Sequence, residues 1–182
     1  MTRNATQDIR SYVFSEKDHL FLDANVWLSV YGPQVSRRKG WDIYSAAWRD
    51  ILKAKSKVFI DLLVLSEFIN RFARIVMGQL APGEKDFKRF RQSSLFGDVA
   101  KEIASNVKSI LLRSNPLGIT FDHVDMDALL LEFEAGQSDF NDEVFAAFCK
   151  EKGFTLVTHD GDFRGKGIPI LTANQHLLQP GP

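Results

Sequence analysis

The chain has 182 residues, 45% of them hydrophobic and 25% charged, which suits one domain with a sizeable core, with or without an insertion. Its 23 basic and 23 acidic residues cancel, so a strongly basic surface for bulk nucleic-acid binding is excluded and any such contact must come from local patches. A single cysteine, Cys149, excludes an internal disulfide and fits a reducing compartment. The polar N-terminal stretch gives no signal peptide, and no run approaches the roughly 18 apolar residues of a membrane span, so a soluble, cytoplasmic protein without membrane contact is expected.

Residues 1–17 read as a polar arm in which Tyr12, Val13 and Phe14 pack, and residues 18–182 as one domain. His19 to Asp23 reads as a short buried strand ending in an acid, and Ala24 to Leu28 as the first turns of a helix stopped by Gly32-Pro33. A loop carrying Arg37, Arg38 and Lys39 follows. Trp41 to Lys55 is amphipathic at helical spacing. Val58 to Ile60 is a second strand, and Leu65, Phe68, Ile69, Phe72 and Val76 mark a helix over Leu63 to Met77. Two helices, Glu84 to Gln92 and Phe96 to about Arg113, form an insertion over about 84–113. A third strand is predicted at Ile119 to Phe121, then a helix capped by Asp125.

The stretch from Ser138 to Phe163 reads as a helix, a turn and a buried strand that ends among acids. Ile168 to Leu171 closes the chain as an edge strand, because Pro169 cannot donate to a central ladder. Short apolar strands alternating with helices predict an α/β fold, a parallel sheet of about four to five strands covered on both faces. Sites in such sheets lie outside the carboxyl ends of the strands.

That rule singles out acids. Asp23 and Asp160 end strands, Glu67 lies one helical turn beyond another, and Asp142 opens the helix that precedes the strand ending at Asp160. Carboxylates gathered at one rim repel, raise one another's pKa and cost stability unless a cation neutralises them. Oxygen-only ligands select Mg²⁺ or Mn²⁺, which can activate water to attack a phosphodiester. Each acid also has a plain structural explanation. Asp142 suits a cap begun by Asp139, Glu67 stands four before Arg71, Asp160 and Asp162 flank Gly161 as turn residues, and Asp23 or Asn25 could cap a helix. Recurrence of acids at the one rim favours the metal.

These residues resemble the PIN domain family of metal-dependent ribonucleases, which includes the VapC toxins. Leu22-Asp23-Ala24-Asn25-Val26 resembles its opening Asp-x-Asn motif, Ser66-Glu67-Phe68 its glutamate motif and Asn141 to Ala147 its third motif. Leu156 to Phe163 resembles its closing Thr-x-Asp motif with the Asp-Phe tail. Sixteen positions separate Asp142 from Thr158, which suits the family's helix-then-strand spacing. The resemblance covers about His19 to Leu171. It implies a three-layer α/β/α PIN-like fold and a metal-binding, catalytic quartet of Asp23, Glu67, Asp142 and Asp160. It makes Asn25 and Thr158 the groups that orient carboxylates or water, and leaves Asp162 open between a fifth ligand and a turn residue. The implied activity is Mg²⁺- or Mn²⁺-dependent endoribonuclease cleavage leaving a 5′-phosphate, in a bacterial toxin with a cognate antitoxin and a possible homodimeric state. The chain is longer than compact toxin members, the excess lying in the arm and the 84–113 helices.

Arg37, Arg38 and Lys39 are candidates for guiding RNA phosphates and read equally as solvated loop charge. Lys85, Lys88, Arg89 and Arg91 around Phe87 and Phe90 could contact nucleic acid, but a solvated helix with both rings in the core is the preferred reading. The four histidines give no zinc spacing, and the side chain of His159 should alternate away from Asp160. Two rivals to the nuclease stand: a catalytically silent PIN-fold scaffold for RNA or protein, and a metal-dependent phosphatase with Asp23 as nucleophile.

Overall fold

The computed structural model describes residues 6–33, 41–136 and 139–179. Six parallel strands form one sheet: β1 Thr6–Asp8, β2 His19–Leu22, β3 Lys57–Ile60, β4 Asn115–Pro116, β5 Thr155–Val157 and β6 Ile170–Thr172, in the order β1-β6-β5-β2-β3-β4. Eight helices connect and cover them: α1 Ala24–Tyr31, α2 Trp41–Ala54, α3 Leu62–Leu80, α4 Phe87–Gln92, α5 Phe96–Leu112, α6 Met126–Glu134, α7 Phe140–Lys152 and α8 Gln175–Leu178. This is the expected three-layer α/β/α arrangement, with six strands where about four to five are predicted, because Thr6–Asp8 adds an edge strand.

β2 lies at the centre because it is apolar on both faces. Leu20, Phe21 and Leu22 are fully buried, and their neighbours are β3 on one side and β5 on the other, with Leu22 in register with Val157. Phe21 packs on Phe145 and Phe148 of α7. Trp27 of α1 meets Trp48 of α2 edge to face at 5.1 Å. Such aromatic pairs supply a large share of the buried apolar area.

Three expectations require correction. In the polar arm, packing is not confined to Tyr12, Val13 and Phe14: Thr6–Asp8 pairs with β6 and forms one edge of the sheet. Ile9 beyond it is buried, whereas Val13, expected to pack, is exposed. β6 is therefore internal. Pro169 precedes it and takes part through its carbonyl, which accepts from Leu156 N at 2.9 Å, so the missing N–H costs no ladder bond. The third strand falls earlier than predicted, at Asn115–Pro116, and Phe121–His123 is a 3₁₀ turn capped by Thr120. Helices α4 and α5 pack on α3. Arg37, Arg38 and Lys39 lie outside the described residues.

The segment that carries the acids reverses direction at one residue. α7 ends at Gly153, whose φ of 67° lies in the left-handed region that glycine adopts freely. The chain then runs back along β5. The first turn of α7 and the far end of β5 consequently lie at the same end of the sheet.

Candidate functional site

Asp23 directly follows β2. Its N–H still donates to Val157 O of the neighbouring strand at 3.0 Å, while its own carbonyl already accepts from Val26 and Trp27 of α1. Asp23 stands at the N-cap of α1, but its carboxylate makes no side-chain capping bond there. Instead Oδ2 accepts from the Thr158 hydroxyl at 2.6 Å and from Asn25 Nδ2. Oδ1 takes no hydrogen bond from a side chain among the described residues. Asp23 is only 5% exposed. Burial pushes its carboxyl above the usual range; the nearby charge of Asp160 adds to this, and the Thr158 hydroxyl, the Asn25 N–H and Arg71 oppose it.

Asp61 gives the contrast. It is an equally buried acid at the end of β3 that the sequence reading did not single out. One oxygen caps α3 through Leu63 N at 2.6 Å, and the other accepts from Ile119 N at 2.9 Å. Both oxygens serve the backbone, so Asp61 is a structural acid.

The Thr158 hydroxyl is fully committed. It donates to Asp23 and accepts from Asp160 N at 3.0 Å and Asn25 Nδ2 at 3.2 Å. Asn25 Oδ1 in turn accepts from His159 N at 3.1 Å. The pair thus ties the end of β2 to the end of β5. A further clamp was not visible in the sequence. The Tyr44 hydroxyl, on α2, lies between the ends of β5 and β6, accepting from Ala173 N at 3.0 Å and lying 3.1 Å from the Thr158 carbonyl. The His159 ring turns to this hydroxyl, with Nδ1 at 2.9 Å.

Asp142 lies in the first turn of α7, where its N–H is capped by Asp139 Oδ1 at 3.1 Å. The cap engages the backbone of Asp142 and leaves its carboxylate to the cluster. Partial burial, then the charges of Asp139, Asp23, Asp160 and Glu67, push that carboxyl up to about 8. Glu67 is raised as well, first by burial and then by Asp23, Asp139 and Asp160, against the pull of Arg71. Its Oε1 pairs with Arg71 Nη1 at 3.0 Å, so the helical ion pair and the nearness to the acids are both present.

Asp160 Oδ1 accepts from Asp162 N at 3.2 Å and opens the short turn Gly161–Phe163. Asp162 is exposed in that turn and is not among the charges acting on Asp23, Glu67 or Asp142. Asp139 is among the charges acting on Glu67 and Asp142, although its sequence context points only to a cap. Glu143, one residue beyond Asp142, is buried and ion-paired to Lys166, which fastens the loop after Asp160 to α7.

Four segments therefore bring Asp23, Glu67, Asp139, Asp142 and Asp160 within electrostatic reach. Among the described residues, no three acids, histidines or cysteines already form a coordination set around one point. The donor chemistry fits a hard dication: oxygen donors alone, at least one of them buried, with carboxyls whose anionic forms are disfavoured until a positive charge arrives. No helix among the described residues is long and apolar enough to cross a membrane.

A family model described as PIN domain matches residues 20–168. Among solved structures, the chain is similar to VapBC2 from Rickettsia felis bound to a promoter DNA fragment, with a TM-score of 0.55, 15% identity and coverage of 85% of this chain and 98% of that one. It also matches PAE2754 from Pyrobaculum aerophilum, at a TM-score of 0.49 and 15% identity over 92% of each chain. At this identity the likeness to VapBC2 is one of fold. No match is found among curated proteins.

Proposed function

This chain belongs to the PIN domain family, a family of nucleases, and from that premise we propose that it is a divalent-metal-dependent endoribonuclease, the toxin of a toxin–antitoxin pair. The observation that carries the reading is the gathering of acids from four separate segments, in which the carboxyls of Asp23, Glu67 and Asp142 are raised, Asp142 to about 8. A folded chain keeps such a cluster against its own repulsion where the charges serve a ligand.

Asp23, Glu67, Asp142 and Asp160 would hold Mg²⁺ or Mn²⁺. Bound there, the ion would supply Lewis acidity and lower the pKa of a bound water. The chain's own residues do the rest. Thr158 and Asn25 fix Asp23 by one oxygen and leave the other available. Asp139 holds the first turn of α7 in place through the backbone of Asp142. Burial of Asp23 thins the surrounding water, which strengthens charge–charge interactions at the reacting phosphate. Hydrolysis would leave a 5′-phosphate, as the resemblance implies. The VapBC2 likeness supports a small antitoxin that covers this rim in the resting complex.

One observation favours a second reading, an RNA-binding scaffold that does not cut: Glu67 is engaged by Arg71 and not turned into a ready ligand set. Incubating structured RNA with Mn²⁺ separates the two. Cleavage by the wild type and not by Asp23→Asn or Asp142→Asn supports the nuclease. Equal cutting by all three would remove these acids from the reaction, and intact RNA under every condition would favour the scaffold.

A further inference from the structure

The cleft needs a route for the rest of the RNA strand, and α3 provides one. Glu67, Arg71 and Arg74 stand at i, i+4 and i+7, within one face of the helix given 3.6 residues per turn. Glu67 belongs to the acid rim. Arg71 is paired with it at 3.0 Å. Arg74 lies about 10 Å further along the axis at roughly 1.5 Å per residue.

There α3 meets the insertion. The Arg74 guanidinium lies over the Phe87 ring, 4.8 Å from its centroid, and that of Arg91 lies 5.5 Å from the same centroid. Both arginines are exposed, and among the described residues neither forms a salt bridge. The acids closest in sequence are occupied locally: Glu84 accepts from Asp86 N at 2.8 Å and Asp86 caps α4 through Lys88 N at 2.8 Å. Phe90 is buried, as its spacing predicts, whereas Phe87 is only half-buried beneath its two cations. The segment 84–113 therefore adds one guanidinium, Arg91, and the Phe87 ring that seats it beside Arg74 by cation–π contact, at a helix face that leads from the acids.

We infer that Arg74 and Arg91, seated on Phe87, form a track for the phosphates of single-stranded RNA a few nucleotides from the acid cluster. The inference rests on the nuclease reading for the direction of the strand. Guanidiniums suit the role because they bind phosphate oxygens in pairs and stack on bases. Zero net charge overall makes a local path of this kind the expected solution.

The test uses the full chain carrying Asp142→Asn, so that binding is read without cutting, and a labelled oligouridylate as probe. For single strands, log K against log salt has a slope of about −0.7 per neutralised phosphate. Arg74→Gln with Arg91→Gln is expected to flatten that slope by about 1.4 and weaken binding, with an unchanged melting temperature. Arg74→Lys with Arg91→Lys should restore most of the slope, since the charge returns. Oligodeoxythymidylate should show the same loss, because the contacts are to phosphates. An unaltered slope in the double Gln variant would overturn the track, as would a loss confined to duplex RNA. Cleavage by the chain with and without Asp142→Asn is scored separately, so failure of the nuclease reading is seen independently of this one.

Discussion

Thr158 Oγ1 donates to Asp23 Oδ2 at 2.6 Å, joining residues 135 positions apart in sequence. One hydroxyl thereby fixes the carboxylate of one central strand from the end of its neighbour, and takes the Asp160 N–H on its other side. Thr158→Val keeps the shape and removes the bonds. It should cost about 1–3 kcal/mol, because buried partners are left unpaired. It should also weaken Mn²⁺ binding roughly 10–100-fold, the usual effect of losing a group that orients a ligand. Urea denaturation and calorimetry read the two effects; a variant with normal Mn²⁺ affinity would show that Asp23 needs no such support.

Asp142→Asn should separate stability from function. In chelator near neutral pH, the wild type must take up a proton at Asp142 on folding because its carboxyl is raised to about 8; asparagine carries no such cost, so the melting temperature should rise. With Mn²⁺ the wild type should gain stability and the variant should gain much less. A variant that is less stable in chelator, or stabilised equally by Mn²⁺, would contradict the proposed role.

The pH dependence has a definite sign. The Asp142 carboxyl is raised from an ordinary value of 3.8 to about 8 in the fold. Between these values the folded chain keeps a proton that the unfolded chain releases. The stability it contributes is complete below about 3.8 and is lost as pH rises towards 8. Glu67 and Asp23 shift in the same direction. The metal-free melting temperature should therefore fall from pH 5 towards pH 8, and millimolar Mg²⁺ should flatten that fall. Metal binding at neutral pH should also release protons, seen as a dependence of the calorimetric heat on buffer ionisation. A melting temperature that rises over this window without metal would show that the cluster does not carry the raised carboxyls.

Glu143, itself buried, forms a part-buried pair with Lys166 that joins α7 to the loop after Asp160. Glu143→Ala leaves the ammonium without this partner and should cost about 3–5 kcal/mol. Replacing both, as Glu143→Leu with Lys166→Met, should recover much of the loss. Midpoints of urea unfolding decide this, and equal losses for the single and double variants would show that the pair is not the cause.

Tyr44→Phe removes only the hydroxyl that fills the gap between β5 and β6. With the Thr158 carbonyl and the Ala173 N–H left unpaired, a loss of about 1–3 kcal/mol is expected. Hydrogen exchange at Ala173 should rise with it. Unchanged exchange there would mean that the strand ends close without the hydroxyl.

Much of this arrangement is legible in local pattern. The apolar run Leu20–Leu22, the helix period of α3 and the Asp139 cap each follow from spacing, and together they set the end of the sheet to which the acids come. What is not legible depends on distant partners. Thr6–Asp8 is too short and polar to read as a strand and becomes one by pairing with β6. Ile119 looks apolar and β-branched like a strand residue, yet its N–H goes to the Asp61 side chain. Asp61 and Asp23 look alike in sequence, each an acid ending a strand before a helix. Only the packing shows that Asp61 serves the backbone and Asp23 does not. Tyr44 reads as one more residue of an apolar stripe, and its hydroxyl gains a role only where two strands separate.

The most direct measurement is anomalous diffraction at the manganese edge from crystals grown with Mn²⁺. The account expects density for one or two ions bounded by Asp23, Asp142 and Asp160, with Glu67 released from Arg71 to join them. A fully soaked crystal with no anomalous density among those carboxylates, and Glu67 still paired to Arg71, would contradict it.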